Sequence, residues 1–243
     1  MKVYSGSDIG LVRNSNQDYC ETGVFSENAV WAVVCDGMGG ANGGCVASSK
    51  AVEAIAEKLT EGYRPEMTSD ELRQLMESAV QEANSKAFGI AQEDSYLYGM
   101  GTTVVCAVVR DGSAYVVHAG DSRAYMYLDD EIHRVTTDHS VVQELISAGH
   151  LTEEEARSHP NRNIITRALG VEPELETDFN TETFSQGAKL IICTDGLSGY
   201  FSDSELCDIV KSRDGDELVM TLINSAKERG GSDNITVAVI SDQ

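Results

Sequence analysis

Positive charge is scarce in this chain. Against 40 Asp and Glu stand 18 Lys and Arg, a formal charge of −22 over 243 residues. A field of that sign repels phosphate backbones and anionic lipid, which argues against a nucleic-acid or membrane-surface partner. It favours cations in general, although most of the acids must be solvated surface. Long apolar runs are also missing. None approaches the roughly 20 residues that span a bilayer, and the opening Met1-Lys2-Val3-Tyr4-Ser5-Gly6 has no apolar signal core. A soluble, cytoplasmic protein is expected. The six cysteines (Cys20, Cys35, Cys45, Cys106, Cys193, Cys207) form no Cys-x-x-Cys pair. They read as reduced, small core residues, not zinc ligands or disulfides. Only three prolines occur, and 41% of residues are hydrophobic, a globular composition. The length suits one large domain or two small ones. No composition break or low-complexity stretch marks a boundary, so residues 1–243 are read as one domain.

The apolar pattern fixes most elements. Lys2 to Ile9 and Tyr19 to Phe25 read as strands, and Ala29 to Cys35, apolar on both faces, as a central one. Ala47, Ala51, Ile55 and Leu59 recur every four residues, one face of a helix stopped by Gly62 and Pro65. A second helix, capped by Thr68 or Ser69, carries the stripe Leu72, Leu75, Met76, Ala79, Val80, Ala83, Ala87. The pattern then becomes a meander: Thr102 to Val109, Ala114 to Ala119, Ala124 to Leu128 and Ile132 to Val135, turning at Asp111-Gly112 and Asp129-Asp130. Residues 139–165 are polar and helix-prone, with a capping box at Thr152 and a break at Pro160, and read as a flap-like insertion beside the site. Lys189 to Cys193 is a buried strand. Helices follow from Ser202 to Val210 and from Asp216 to Arg229, and Ile235 to Ile240 closes the chain as a strand. Antiparallel strands with two helix pairs predict an α+β fold, a four-layer α/β/β/α sandwich.

One acid follows a buried strand at Asp36, in Val33-Val34-Cys35-Asp36-Gly37-Met38-Gly39-Gly40. Another does so at Asp195, in Ile192-Cys193-Thr194-Asp195-Gly196. Asp233 precedes a strand and Asp121 sits in a corner between two. Converging carboxylates repel and need a cation or a proton. Oxygen-only ligation points to Mg²⁺ or Mn²⁺, not zinc. Asp-Gly is also an ordinary turn pair, and Asp111-Gly112 is this chain's own instance with no chemistry assigned. A strand, a glycine-rich loop and a helix can alternatively cradle phosphate. The Asp36 stretch lacks the Lys-Ser/Thr of a nucleotide P-loop and any Gly-x-Gly-x-x-Gly. On pattern alone, turn and metal site both remain open.

Eight short motifs occur in order. They are Arg13-x-x-Asn16-Gln17-Asp18, Asp36-Gly37-Met38-Gly39-Gly40, Gly101-Thr102-Thr103, Gly120-Asp121-Ser122-Arg123, Asp138-His139-Ser140, Ile165-Thr166-Arg167-Ala168-Leu169-Gly170, Thr194-Asp195-Gly196 and Asp233-Asn234-Ile235-Thr236. Together they resemble the motif set of the metal-dependent (PPM, type 2C) serine/threonine protein phosphatases, in a compact bacterial form. The resemblance implies a centre of two Mn²⁺ or Mg²⁺ ions. Asp36 would bridge them, Asp195 and Asp233 would complete one, and the Gly37 carbonyl would serve the other. Asp121 with Asp195 matches a third, weaker site, and Asp18 a group acting through a water or from just behind the ligands. Arg13 matches the residue that binds substrate phosphate. The implied reaction is attack by water on phosphoserine or phosphothreonine, with no phosphoenzyme. Phosphorylated proteins, a serine/threonine kinase among them, are the implied partners of a monomer.

Two positions depart from the pattern. Some members have His where this chain has Met38, which cannot donate a proton. Gln17 stands where some have a metal-binding Glu, and a neutral amide is a poor ligand. His139 reads as structural, with assistance to catalysis as the alternative, His118 as core or as a group just behind the site, and Arg123 and Arg167 as loop braces. The competing readings are an inactive phosphoprotein- or metal-sensing pseudophosphatase and, more remotely, a thiol-redox enzyme using Cys35 or Cys193.

Overall fold

The computed structural model describes residues 1–242, the side chains of residues 41 and 42 excepted. Residue 243, last of the domain expected from the sequence, lies outside them. Eleven strands form two antiparallel sheets. The first orders β1 (Lys2–Asp8), β11 (Ile235–Ser241), β10 (Lys189–Cys193), β7 (Arg123–Leu128) and β8 (Glu131–Arg134). The second orders β2 (Asp18–Ser26), β3 (Ala29–Met38), β5 (Val104–Arg110), β6 (Ser113–Ala119) and β9 (Asp178–Thr183), with β4 (Gly101–Thr102) paired to the end of β3. Helices α1 (Gly40–Gly62) and α2 (Ser69–Glu93) cover the second sheet; α6 (Asp203–Ser212) and α7 (Gly215–Glu228) cover the first.

Side-chain alternation along the central strands builds the layers. On β3, Trp31, Val33 and Cys35 face α1 and α2, while Val30, Ala32 and Val34 face the other sheet. On β11, Ala238 and Ile240 face inward, while Val237 and Val239 meet α6 and α7. Many residues between the sheets are alanine or valine, small enough for the sheets to pack closely. These three apolar layers make the α/β/β/α sandwich that the sequence predicts.

Local chemistry sets the element ends. Thr68, not Ser69, caps α2: its hydroxyl accepts from Glu71 N–H at 3.2 Å, and Glu71 accepts back from Thr68 N–H at 2.8 Å. Asp111 and Gly112 take positive φ (50° and 75°), as do Asp129 and Asp130 (53° and 66°), the backbone that tight hairpins require. The structure differs from the sequence reading in three places. The strand expected from Thr102 to Val109 is broken at Thr103, because the Asp36 N–H donates to the Thr103 hydroxyl where a continuous ladder would use the Thr103 carbonyl. β9 was not expected; its Asp-Phe-Asn-Thr-Glu-Thr run is half exposed and lies at the sheet edge, so it lacks a buried strand's apolar signal. The short helix α5 (Asp195–Ser198) follows β10 directly. Residues 139–165 carry α3 (Val141–Ser147) and α4 (Glu153–Arg157), and their two ends are joined by a bridge between Ser140 and Ile165.

Two glycine substitutions should separate open from closed backbone. A Cβ at Gly89 in α2 meets nothing within 4 Å, so Gly89→Ala should add about 0.5–1 kcal/mol of stability. A Cβ at Gly196 would lie 1.9 Å from the Asn234 carbonyl oxygen, so Gly196→Ala should lower stability. Urea denaturation of the two variants measures both signs.

Candidate metal centre

Antiparallel pairing brings the strand-end acids to one rim. β10 ends beside the start of β11, with Cys193 opposite Val237, so Asp195 and Asp233 leave the first sheet on the same side. In the second sheet Asp18 begins β2 directly opposite Asp36 on β3. The corner after β6 adds Asp121. Arg13 reaches the group from the loop after β1, its Nη2 donating to Asp233 Oδ2 at 2.6 Å. The structure thus gathers every carboxylate singled out from the sequence, with Arg13 beside them.

Neutral groups hold the acids in place. The Asp36 N–H donates to Thr103 Oγ1 at 2.9 Å, and the Asp36 carbonyl accepts from Thr103 N–H and Thr102 Oγ1. Asp18 Oδ2 accepts from Thr194 Oγ1 at 2.9 Å, next to Asp195. Asn234 is buried and works in three directions. Its Nδ2 donates to the carbonyls of Ile9 and Ser15, its Oδ1 accepts from Gln17 N–H at 2.8 Å, and its own N–H donates to Asp233 Oδ1. The loop that carries Arg13 is thereby tied to Asp233. Sequence reasoning quoted Asn234 and Thr103 only as motif letters; a buried amide has four hydrogen-bonding valences to satisfy, which is the signal available. Gly37 has no room for a side chain, since a Cβ would lie 2.2 Å from the Gly44 oxygen. Gln17 Nε2 donates to the Gly40 carbonyl at 2.8 Å, which commits its amide to the start of α1. Met38 ends β3 opposite Gly101 and brings only a thioether to the rim.

The electrostatics are those of a cluster lacking counter-charge. Burial, then the nearby charges of Asp18, Asp195, Asp121 and Asp233, push the Asp36 carboxyl well above the usual range. Burial is also the main cause at Asp18 and Asp121, each raised to about 7, with Asp195 repelling both. Asp195 is raised by burial and by Asp233, and its hydrogen bond with Asp36 opposes the rise. Asp36, Asp121 and Asp195 are nevertheless partly accessible, while Asp18 is buried. Asp18 Oδ1 has no hydrogen-bond partner among the described residues. An orphaned carboxylate oxygen, several like charges and an all-oxygen donor set fit a hard divalent cation. No three of these acids bring one oxygen each within 4.8 Å of one another.

A cleft of about 550 Å³ opens from the rim, with Asp121 and Asp195 at its floor and Val142, Ile146, Arg157 and Arg162 of residues 139–165 on its wall. Residues 139–165 thus line the cleft together with Asp121 and Asp195. Behind them Arg123 makes a bidentate pair with Asp138 (2.9 and 2.7 Å), and Arg167 bonds Asp178 at 2.8 Å, both acting as braces. Cys35 and Cys193 are fully buried, and burial pushes their thiols up, which leaves no reactive thiolate for redox chemistry.

A two-sheet sandwich with a carboxylate cluster at one rim that fits divalent cations is the architecture of a metal-dependent hydrolase. The chain belongs to the protein phosphatase 2C family, whose pattern matches residues 12–236. It is 37% identical to the protein phosphatase PhpP of Streptococcus pneumoniae over 99% of this chain and 97% of that protein. It is 36% identical to the serine/threonine phosphatase stp of Listeria welshimeri over 96% and 93% of the two chains. Among solved structures, the S. agalactiae serine/threonine phosphatase superposes with a TM-score of 0.91 at 33% identity, covering 99% of each chain. The catalytic domain of the serine/threonine protein phosphatase PstP, solved in complex with two manganese ions, superposes with a TM-score of 0.86 at 32% identity over 99% and 98%.

The raised carboxylates give a stability test whose sign is fixed. Between about pH 4 and pH 7 the folded, cation-free protein holds protons on Asp18 and Asp121 that the unfolded chain has released. Their stabilising contribution is full below that window and is lost as pH rises through about 7. The chelated protein should therefore lose melting temperature between about pH 5.5 and pH 8, and Asp18→Asn should flatten part of that slope. Added Mn²⁺ should raise the melting temperature most at the higher pH. Scanning calorimetry at both values checks all three.

Proposed function

We propose that the chain is a divalent-metal-dependent protein phosphatase acting on phosphoserine and phosphothreonine, with residues 1–243 as one catalytic domain. The observation that carries this reading is the buried carboxylate cluster, with its orphaned Asp18 oxygen, beside the guanidinium of Arg13. Asp36, Asp195 and Asp233 with the Gly37 carbonyl would hold two ions, Asp121 with Asp195 a third, and Asp18 would act through a water. Such ions, Mn²⁺ or Mg²⁺, supply a water of lowered pKa and neutralise phosphoryl charge.

The chain's own residues do the rest. Arg13 is half exposed and its only carboxylate partner among the described residues is Asp233, so an incoming phosphate dianion can take over its guanidinium. Asn234 and the Gly10 turn keep the Arg13 loop against Asp233: a Cβ at Gly10 would lie 2.2 Å from the Asp233 carbonyl oxygen. Thr102 and Thr103 fix Asp36 at the end of β3, so the carboxylate does not rotate away from its neighbours. The leaving hydroxyl takes its proton from solvent in the cleft, since Met38 offers none. No nucleophilic side chain is required, consistent with the buried thiols.

The cleft beside residues 139–165 receives the chain that flanks the phosphoresidue, and these residues act as the flap. A serine/threonine kinase and its targets are the proposed substrates in the cytoplasm, with the enzyme a monomer. With Mn²⁺ the protein should release phosphate from a phosphothreonine peptide, and excess EDTA should abolish release. Asp36→Asn and Asp233→Asn should each lower kcat by at least about 100-fold while the far-ultraviolet circular dichroism is kept. Full turnover in chelator would overturn the reading.

A further inference from the structure

His118, His139 and Asp178 bring ligand atoms within 4.8 Å of one another, outside the carboxylate rim. A transition metal is the obvious occupant, and the ring geometry argues against it. The two imidazoles lie nearly parallel, with centroids 4.7 Å apart and planes 8° from each other. An ion in the plane of one ring lies out of the plane of the other, so both lone pairs cannot address it. Arg167 also occupies the place, its Nη1 2.8 Å from Asp178 Oδ1 and 3.0 Å from His139 Nε2. A second cation would face that guanidinium.

Hydrogen bonding gives the trio a different role. The Gly120 N–H donates to His139 Nδ1 at 3.2 Å. Nδ1 must then carry the lone pair, and the proton of the neutral ring sits on Nε2. Asp178 Oδ2 lies 3.3 Å from Nε2 and accepts that proton, so Asp178 selects the tautomer that leaves Nδ1 free for Gly120. Arg167 Nη1 is itself a donor and cannot bond a protonated Nε2, so its hydrogen bond belongs to Asp178. His118 stacks on the ring and is held by the Thr137 carbonyl, 2.9 Å from its Nε2.

What is held is the corner that carries Asp121. Gly120 has φ of 107°, and a Cβ there would lie 2.7 Å from the Thr103 side chain. His139 bonds both polar atoms of Gly120, since its own N–H also donates to the Gly120 carbonyl at 2.8 Å. The His139 carbonyl accepts from Thr166 N–H at 2.8 Å, so one residue joins the corner to both ends of segment 139–165. Asp36, Asp195 and Asp233 stand at the ends of buried strands, whereas Asp121 depends on this corner for its direction.

We propose that His139, oriented by Asp178, is a positioning residue for Asp121: it fixes the Gly120 peptide so that the Asp121 carboxylate faces Asp195 across an ion. The ion half of this statement rests on the reading of Asp121 given under Proposed function. Two conservative variants test it on the full chain. In His139→Asn the amide oxygen stands near the place of Nδ1 and can accept from Gly120. In His139→Gln the amide stands near the place of Nε2 and leaves the Gly120 N–H without its acceptor. Hydrogen exchange of the Gly120 amide, followed by NMR, should quicken at least about tenfold in His139→Gln and in Asp178→Ala, and recover in His139→Asn. The weakest Mn²⁺-binding step seen by calorimetry, identified as the one that Asp121→Ala removes, should weaken about 10- to 100-fold in the first two variants and recover in the third. Equal Gly120 exchange in all variants overturns the proposal, as does quickened exchange with an unchanged Mn²⁺ isotherm. If Asp121→Ala removes no step, the ion role of Asp121 fails, and Gly120 exchange alone still decides whether His139 holds the corner. Asp178 is half exposed, so Asp178→Ala keeps the test open should the buried His139 variants unfold.

Discussion

The cost of burying charged carboxylates, sharpened by their repulsion of one another, is the constraint that everything at the rim answers to. The rise of Asp18 from 3.8 to about 7 means that ionising it within the cluster costs about 4 kcal/mol more than in water. The one side-chain cation bonded to the rim acids among the described residues, Arg13 on Asp233, is an exposed pair of the kind worth about 0–1 kcal/mol. Arg13 alone therefore cannot balance the group; protons or divalent cations must. The surrounding contacts follow from this. Thr103, Thr194 and Asn234 are neutral and bond the acids or their backbone without cancelling their charge. A scaffold of salt bridges would have quenched the field that attracts a cation.

The two sheets supply the stiffness that such a cluster needs. Asp36 stands near the end of β3 and Asp195 follows β10, and the stretches just before them, residues 29–35 and 190–193, are buried on both faces, so their backbones move only with the core. Small residues between the sheets, among them Ala32, Ala107, Ala124 and Ala238, let the strand ends of one sheet approach those of the other. Asp18 shows the result: it begins a strand of the second sheet and accepts from Thr194 at the end of a strand of the first.

Where apolar periodicity was strong, the layers could be read from the letters. β3, β5, β10, β11 and the long helices α1 and α2 each bury a face whose period is visible. Among the site residues, the acids were legible because each interrupts such a run or stands in a glycine corner. Their convergence was not, since it depends on register between strands some 200 residues apart; only the family resemblance of eight motifs supplied it. β9 and its Asp178 were missed for a physical reason. An edge strand with polar residues on its solvent face carries no alternation that distinguishes it from a loop. Likewise the break at Thr103 arises from a side-chain bond to a strand distant in sequence, which local propensity cannot register.

The order in which the first sheet is assembled has a consequence for synthesis. β11 is nearly the last stretch of these residues to be made, yet it lies between β1 and β10 and not at an edge. Asp233 stands just before it, and Asn234 fastens the Arg13 loop near the opposite end of the chain. A chain not yet made as far as Asp233 and β11 has an open slot in the sheet and a loose Arg13. The acids of the rim thus come together only once β11 has been made, so a nascent chain that stops short of it is not a weak version of the folded domain but an empty scaffold.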